Sequence, residues 1–395
     1  NRLKLYKGFG EKTQQNVIDT IEFYLSNQGS YLYPQVEAVE QQITAYLQKL
    51  FGAENVFITG TFKRQLEIIE ELRLYTGSGA IENRLFLTSG STEFINAFLF
   101  QFPNTNFSGT AKTDDSNIFK QVGINYIPAC LRETATIIER AKTAALPQLI
   151  QPQDIKGIIH SHSNWSDGSN TLEEMAMAAK EQGFEYLVIS DHSKSAFYAK
   201  GLHEDKISAQ HQLIEELNKK LTGFKIFKSI ESDILYDGNL DYSNAVLATF
   251  DLVIASVHSI LKMTEEKAMQ RLITAIENRY TTILGHMTGR LLLSRKGYPL
   301  DHKKIIDACA ANNVVIELNA HPSRLDIDWR HIDYALQKNV MISIDPDAHS
   351  IEGFKDTRYG VLAAQKAMVT KEQNLSSMGL IEFENFVQKA KDFKG

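Results

Sequence analysis

The pattern of apolar and polar positions becomes regular from about Gly157 onward. Short β-branched apolar runs each end at a polar residue and are followed by stretches with helical spacing. Strands that alternate with helices predict a parallel sheet, and seven units in succession favour closure into a (β/α) barrel. The seven predicted strands cover residues 157–160, 186–190, 225–232, 252–259, 281–287, 314–320 and 340–348.

Residues 1–150 follow a different pattern, in which amphipathic helices and short strands are mixed. This mixture indicates a small α+β region before the α/β barrel. The predicted elements are helices over 13–26, 34–51 and 63–74 and strands over 56–61 and 84–88. The turn-forming residues of 101–117 predict a loop, and 130–155 is a connecting stretch that leads into the barrel.

Composition and charge limit the function classes. The 395 residues suffice for two or three domains. Cys130 and Cys309 are the only cysteines and lie far apart in sequence, so we expect neither a disulfide framework nor a CxxC motif, and we expect a reducing, cytoplasmic setting. No stretch reaches the roughly 20 apolar residues that span a bilayer, and the N-terminal segment lacks the apolar centre of a signal peptide. The formal net charge of −6 argues against a protein that coats nucleic acid through bulk positive charge.

Histidines concentrate at the predicted strand ends. Six of the eleven stand at the carboxyl end of a strand: His160, His162, His192, His258, His286 and His349. The same ends carry the acids Asp167, Asp191, Glu231 and Asp347. Because the carboxyl ends of all strands in such a barrel meet on one face, we expect these side chains to share one pocket.

A pocket of this composition predicts a metal centre. Imidazole and carboxylate without thiolate favour divalent ions such as Mn²⁺ or Zn²⁺, or Fe²⁺. About nine candidate ligands exceed what one four-coordinate ion needs, so we predict two or three ions. Clustered ions of this kind hold the attacking and leaving oxygens of a phosphoryl displacement. No Ser-His-Asp or Cys-His arrangement stands out, so we expect hydroxide generated at the metal ions to be the nucleophile.

The motifs that carry these residues resemble those of a known family. HSHSNWSDG, ISDHS, IESDI, SVHS, LGHMTGR and DPDAHS resemble the polymerase and histidinol phosphatase (PHP) domain, and GHMTGRLLLSRKGYPLD is similar to the version attached to bacterial family X DNA polymerases. The resemblance spans residues 154–372 and implies a distorted seven-stranded barrel with three metal ions. It implies one ion on His160, His162, Glu231 and Asp347, a second on Glu231, His258 and His286, and a third on Asp167, His192 and His349.

Three arginines follow the fifth and sixth predicted strands, where a guanidinium group could hold a phosphate through two hydrogen bonds. They are Arg290, Arg295 and Arg324. We predict that Arg290 and Arg324 stabilise charge on the phosphate, and the resemblance implies that Glu231 bridges ions, so these three form the predicted catalytic set. Ordinary surface salt bridges are the alternative for each arginine.

The segment from Gly8 to Thr13 resembles the second helix-hairpin-helix of family X polymerases. Such a hairpin offers backbone N–H groups and a helix N-terminus to a DNA phosphate. On this resemblance we predict that Gly8, Gly10 and Lys12 bind DNA. A simple glycine-containing turn is the alternative.

A polymerase-like segment follows, and it has lost metal-binding acids. ENVFITGTFKRQLEIIEEL (54–72) resembles the family's palm strand and its Gly-Ser-x-Arg-Arg motif. The acid pair that binds magnesium in the family falls at Glu71 and Arg73, and a cation at such a position opposes metal binding. The stretch after Arg84 is also too short for the rest of the palm and a full thumb. We therefore predict that polymerase activity is lost.

These observations predict a helical region over 1–48, a degenerate palm-like region over 49–130, a linker over 131–155 and a metal-dependent phosphoesterase barrel over 156–395. Our leading hypothesis is a phosphodiesterase acting on DNA 3′ ends or single strands, as a 3′–5′ exonuclease or 3′-end-processing enzyme of DNA repair. The alternative is a phosphomonoesterase of the histidinol-phosphatase type, which the lack of a basic excess favours. A noncatalytic DNA-binding scaffold conflicts with the complete ligand set, and an active polymerase conflicts with the missing acids.

Overall fold

The structure, a computed structural model, describes residues 6, 8, 10–77, 81–107, 114–143 and 145–394. The N-terminal region contains short strands among helices. Its elements are α1 (Glu11–Ser26), β1 (Tyr31–Leu32), α2 (Tyr33–Phe51), β2 (Val56–Thr59), α3 (Gly60–Lys63), β3 (Ile68–Ile69), β4 (Arg73–Thr76), α4 (Glu82–Thr88), α5 (Thr92–Gln101), α6 (Ser116–Gln121) and α7 (Thr136–Thr143). Among the described helices, none has both the length and the apolar character needed to cross a membrane.

The remaining chain alternates strands and helices. Its elements are β5 (Gly157–Ser161), α8 (Leu172–Glu181), β6 (Tyr186–Ile189), α9 (Glu204–Lys220), β7 (Lys225–Asp233), α10 (Asn244–Leu247), β8 (Leu252–Ser256), α11 (Glu265–Glu277), β9 (Ile283–Leu284), α12 (His302–Asn312), β10 (Val315–Asn319), α13 (Trp329–Gln337), β11 (Ile342–Asp345), α14 (Thr357–Lys366) and α15 (Leu380–Lys394). Each predicted barrel strand has an observed counterpart, with ends that differ by a few residues.

Strands β5 to β11 form one sheet in chain order, and every neighbouring pair is parallel. The first and last strands meet just beyond β11, where the His162 amide donates to the Ala348 carbonyl at 2.8 Å and the Ala348 amide donates to the His160 carbonyl at 3.2 Å. Nearly all strand residues are buried, as expected for a parallel sheet covered by helices. The predicted α/β class with a distorted seven-stranded barrel is therefore confirmed.

Two predicted elements of the N-terminal region are wrong. Residues 63–74, predicted as a helix, contain β3 and the start of β4, which pairs antiparallel with β2. The left-handed backbone of Gln65, with φ of 60°, follows the single turn of α3, and strand pairing outweighs the helix propensity of the following residues. Residues 84–88, predicted as a strand, lie in α4, where Leu85 and Phe86 are buried. A short apolar run fits a strand and a buried helix equally well.

The N-terminal region is held against helices α13 and α14 of the barrel by polar contacts. The Glu67 carboxylate accepts hydrogen bonds from Trp329 Nε1 at 3.2 Å and from Arg330 Nη1 at 2.7 Å. The buried Lys366 Nζ forms an ion pair with Glu133 at 2.9 Å. These contacts link the two parts of the chain, and the proposed domain boundaries stay a prediction.

Candidate metal centre

The strand ends bring the nine predicted metal donors onto one face of the barrel. His160 and Glu231 lie within strands, and the others follow a strand in the next loop. By strand, they are His160, His162 and Asp167 at β5, His192 at β6, Glu231 at β7, His258 at β8, His286 at β9, and Asp347 and His349 at β11. Because the strands are parallel and adjacent in chain order, donors that are far apart in sequence become neighbours.

Glu231 lies at the centre of this cluster. Its side chain is 1% exposed, and its carboxylate oxygens approach five imidazole rings. The distances are 3.3 Å to His160 Nε2, 3.7 Å to His162 Nε2, 2.9 Å to His192 Nδ1, 3.1 Å to His258 Nε2 and 3.0 Å to His286 Nε2. A carboxylate in contact with so many potential ligands is suited to bridge two ions.

Three groups of donors are compact enough to hold an ion, since their ligand atoms lie within 4.8 Å of one another. The groups are His160, His162 and Asp347; His192, Glu231 and His258; and His162, Asp167, His192 and His349. His162 and His192 each belong to two groups, and His286 reaches the cluster through Glu231. The assignment of each donor to a particular ion therefore stays a prediction.

The cluster has a buried floor and an open mouth. His160 and Glu231 are fully buried, whereas the side chains of Asp167 and His349 are 32% and 41% exposed. At the mouth, Asp167 lies 3.5 Å from His349 Nε2 and 3.6 Å from His192 Nε2. A substrate phosphate can therefore approach from the side of Asp167 and His349.

Several buried donor atoms lack a hydrogen-bond partner among the described residues. They are His160 Nε2, both ring nitrogens of His162, His286 Nδ1, and also His192 Nδ1 and Glu231 Oε2, which lie 2.9 Å apart without the geometry of a hydrogen bond. Burying polar atoms without partners costs about 1–3 kcal/mol for each group. Divalent ions bound between these atoms would satisfy them, and a set of imidazoles and carboxylates without thiolate fits Mn²⁺, Zn²⁺ or Fe²⁺. The residues thus fit a cluster of divalent ions.

Neighbouring charges counteract the effect of burial on the pKa values of Glu231 and His258. Burial would raise the pKa of Glu231, but the nearby imidazoles of His258, His160 and His192 lower that pKa well below its usual range. Burial, together with the nearby His192, lowers the pKa of His162 to about 3. Against the effect of burial, Glu231 and Asp233 raise the pKa of His258 to about 10. Anionic carboxylates and an unprotonated His162 are the forms that bind metal.

Two acids that the sequence analysis missed support the donors from outside. Asp233 Oδ1 lies 2.5 Å from His258 Nδ1, and Glu317 Oε1 contacts His160 Nδ1. Glu317 Oε2 also accepts the His286 backbone amide at 2.6 Å. Carboxylates in this position fix the orientation and tautomer of a ligating imidazole. A sequence signal existed for Asp233, since a strand places it on the same face as Glu231 two residues earlier.

Asp191, an acid noted at the end of the second predicted strand, has a different role. Its carboxylate accepts hydrogen bonds from the Ser163 amide at 2.8 Å, from Ser163 Oγ at 2.7 Å and from Gln210 Nε2 at 2.7 Å. Ser166 Oγ also donates to it at 2.5 Å. Asp191 therefore holds the loop between His162 and Asp167.

The two arginines predicted to be catalytic differ in their surroundings. Arg324 Nε lies 3.5 Å from Asp347 Oδ2, and its side chain is 20% exposed at the edge of the cluster. The guanidinium of Arg290 instead donates to the carbonyls of Arg324 and Leu325 and to Asp328. Arg290 thus braces the loop that carries Arg324, and its contacts do not support the predicted direct role. Arg295 Nε donates to the Gly289 carbonyl at 3.0 Å.

The predicted DNA-binding segment lies at the start of α1. Gly8 has a φ of 95°, and Gly10 precedes the first helical residue as its N-cap. Lys12 is exposed, and Phe9 of the same motif lies outside the described residues. Near the other end of this helix, the Phe23 ring lies 5.4 Å from Lys296 Nζ in the loop after β9. The helix thus lies beside a loop on the carboxyl side of the barrel, and DNA binding by these residues stays a prediction.

In the polymerase-like segment, Arg73 lies on β4 opposite Thr59 of β2. Its guanidinium forms an exposed ion pair with Glu71. An arginine that already neutralises the nearby carboxylate leaves little negative charge to attract magnesium.

Part of the chain matches a known protein family, and most of it is similar to a known protein. Residues 159–321 match the family described as the PHP domain. The chain is 37% identical over 284 residues to a "DNA polymerase/3'-5' exonuclease PolX" of Bacillus subtilis, a match that covers 71% of this chain and 50% of that protein. It is 31% identical over 166 residues to a "Probable phosphatase" of Acetivibrio thermocellus, a match that covers 41% of this chain and 64% of that protein. The chain thus spans about half the length of the first relative and less than two thirds of the second.

Among solved structures, the chain is similar to the histidinol phosphate phosphatase of Lactococcus lactis, determined with zinc, L-histidinol and phosphate. The sequence identity is 18% and the TM-score is 0.40. The match covers 54% of this chain and 94% of the other.

Proposed function

Because this chain carries a PHP domain and is related to a bacterial family X DNA polymerase, we propose that it is a metal-dependent phosphodiesterase that acts on DNA. The observation that carries the proposal is the buried cluster of unpartnered imidazole and carboxylate atoms around Glu231. Its substrates are DNA 3′ ends or single strands, and its reaction is 3′–5′ exonuclease cleavage or 3′-end processing in DNA repair.

The nine donors at the strand ends would hold two or three divalent ions, and Glu231 would bridge two of them. When bound, such ions activate a water molecule and neutralise the charge of the phosphate oxygens. Asp233 and Glu317 orient the imidazoles of His258 and His160, which fixes the direction of the ligating nitrogens. A donor set of imidazoles and carboxylates favours Mn²⁺, Zn²⁺ or Fe²⁺ as the native metal.

Arg324 is the cation placed to contact a substrate phosphate at the edge of the cluster. Arg324 Nε lies 3.5 Å from Asp347 Oδ2, so the guanidinium is next to the proposed ligands but does not form a short ion pair with them. Arg290 acts through Arg324, because it fixes the backbone carbonyl of that residue at 2.9 Å. Charge building up on the phosphate during displacement would meet the guanidinium of Arg324 without a large rearrangement.

A second candidate function is a phosphomonoesterase that acts on a small substrate. The formal net charge of −6 favours it, as does the similarity to proteins described as probable phosphatases. The polymerase-related N-terminal region favours DNA instead. That region packs on the barrel through contacts such as Glu67 with Arg330, and a small phosphate ester does not require it.

Cleavage of a 5′-labelled single-stranded DNA oligonucleotide with Mn²⁺, beside L-histidinol phosphate, separates the two functions. We expect the wild-type protein to produce a ladder of shortened DNA and His160→Ala to produce none, because that change removes a buried donor. His203→Ala, which alters an exposed histidine, is the matched control and should retain the ladder. Intact DNA with phosphate released from histidinol phosphate would instead establish the phosphomonoesterase. No turnover of either substrate would favour the noncatalytic scaffold.

We also propose that the chain has no DNA polymerase activity. The ion pair between Arg73 and Glu71 stands where the resemblance implies magnesium-binding acids. We expect a primed template with all four deoxynucleotides and Mg²⁺ to show no extension, even in the His160→Ala protein, in which degradation cannot mask synthesis. Extension by even a few nucleotides would contradict this prediction.

A further inference from the structure

The loop between β6 and α9 carries two neighbouring aromatic side chains beside the metal centre. Phe197 is 85% exposed and Tyr198 is 60% exposed. Their rings meet edge to face, with centroids 6.0 Å apart and an interplanar angle of 78°. The Tyr198 ring lies 6.4 Å from the ring of His192, one of the proposed metal ligands. The pair therefore stands at the mouth of the centre with most of its apolar surface in water.

The loop that carries these rings is tightly fixed. The Leu202 amide donates to the His192 carbonyl at 2.9 Å, and the Gly201 amide donates to the Ala196 carbonyl at 3.1 Å. A Cβ at Gly201 would lie 1.9 Å from the carbonyl oxygen of Ser193, so only glycine allows the loop to close on itself. The exposure of the two rings thus belongs to a defined conformation.

The same loop is joined directly to the metal ligands. Asp233 accepts a hydrogen bond from Ser195 Oγ at 2.9 Å with one oxygen, and its other oxygen lies 2.5 Å from His258 Nδ1. The Ser195 amide also donates to Asp241 at 2.6 Å. A single carboxylate therefore fixes both the aromatic loop and an imidazole of the centre, which sets the position of the rings relative to the ligands.

Tyr198 lies within electrostatic range of the centre. Burial raises the pKa of its hydroxyl, and the carboxylates of Asp233, Glu231 and Asp167 raise it further, while Arg324 lowers it. The groups that influence this hydroxyl come from three different parts of the cluster. A ligand that places a phosphate among them would also lie against the aromatic pair.

We propose that Phe197 and Tyr198 form a stacking platform for the nucleobase of the nucleotide whose phosphate is cleaved. This inference rests on the proposed function and specifies how its substrate is held. In a nucleotide the base is separated from the phosphate by one sugar, so a phosphate at the metal centre brings a base to its rim. Stacking on aromatic side chains contributes binding energy with any base, because every base has a flat π-face. The platform thus favours nucleic acid without requiring a particular sequence.

A comparison of two oligonucleotides tests the platform. They are identical except that the 3′-terminal nucleotide carries a base in one and an abasic sugar in the other, and kcat/KM is measured for both. We expect the wild-type enzyme to prefer the base-containing end by about tenfold or more. Phe197→Ala and Tyr198→Ala should each reduce this preference, and the double variant should bring the ratio close to one. Because each ratio comes from one preparation, a partly unfolded variant does not distort it.

Two further variants sharpen the comparison. Phe100→Ala removes an aromatic ring that is 87% exposed on α5, outside the barrel, and it should leave the preference at the wild-type value. Tyr198→Phe should also keep the preference, since stacking requires the ring and not the hydroxyl. A preference that falls in Tyr198→Phe as far as in Tyr198→Ala would overturn the assignment.

The outcomes separate this inference from the proposed function. If the wild type and the double variant cleave DNA with the same preference, the platform is wrong while the nuclease stands. If the wild type cleaves neither oligonucleotide, the proposed function fails and the platform fails with it. A fluorescent adenine analogue at the 3′ end gives a second readout in the His160→Ala protein: its emission should be quenched on binding, and Phe197→Ala in the same background should remove the quenching.

Discussion

Glu231→Gln is expected to lower kcat for phosphate ester cleavage by about 10³-fold, or about 4 kcal/mol of transition-state stabilisation. The substitution keeps the size of the side chain and removes its negative charge. That charge faces five imidazole rings at distances of 2.9 to 3.7 Å, and the Glu231 carboxylate contacts donors at the ends of β5, β6, β8 and β9 together. A neutral amide cannot bridge two cations with comparable strength, so ion occupancy and activity should fall together.

The measurement is steady-state turnover with bound metal determined on the same samples. Glu277→Gln, at the exposed end of α11, is the matched control and should retain wild-type turnover and metal content. Thermal melting of both variants distinguishes a local loss of charge from a loss of fold. Turnover of Glu231→Gln within tenfold of the wild type would show that this carboxylate is not the bridge.

The barrel could be predicted from the sequence because two signals, an apolar run and the polar residue after it, indicate each of its strands. An apolar β-branched run such as YLVIS indicates a buried strand, and the polar residue that follows marks its carboxyl end. Parallel strands then require that those ends meet, so His192 and Glu231 become neighbours by topology alone. Here they are joined by a contact of 2.9 Å.

The supporting residues could not be identified in the same way. Glu317 lies inside the apolar run VVIELNA, and nothing in its own segment indicates that it faces His160 across the barrel. The contacts of the Arg290 side chain could not be predicted either, because its partners are backbone carbonyls of the loop after β10. Contacts of this kind depend on the path of a loop, which periodicity does not encode.

The N-terminal region was harder to predict because its elements are short. Strand β3 has two residues and α3 has four, so neither presents enough positions for a period to be recognised. The long helix α2, at 19 residues, could be located to within one residue of its observed start. Short elements gain their stability from tertiary packing, which here includes the aromatic cluster around Phe86.

Removal of divalent metal is expected to abolish turnover and to lower the melting temperature by about 10 °C. Ligands that bind only the folded state at 1,000 times their Kd stabilise it by about 4 kcal/mol. Without ions, buried atoms such as His162 Nδ1 and His286 Nδ1 have no hydrogen-bond partner among the described residues, which adds to the cost of the apo fold. Dialysis against EDTA, melting, and readdition of Mn²⁺ or Zn²⁺ measure this effect directly.

The variants decide whether the response arises at this centre. Removal of metal should shift the melting temperature of His160→Ala much less than that of the wild type, because one buried donor is gone. The melting temperature of His203→Ala, a change at an exposed residue at the start of α9, should shift as much as that of the wild type. Recovery of both melting temperature and turnover at the same metal concentration would tie stability and catalysis to one set of ions. A chelator that leaves both unchanged would mean that the imidazoles and carboxylates are held by their own hydrogen bonds, and the metal-dependent mechanism would then have to be abandoned.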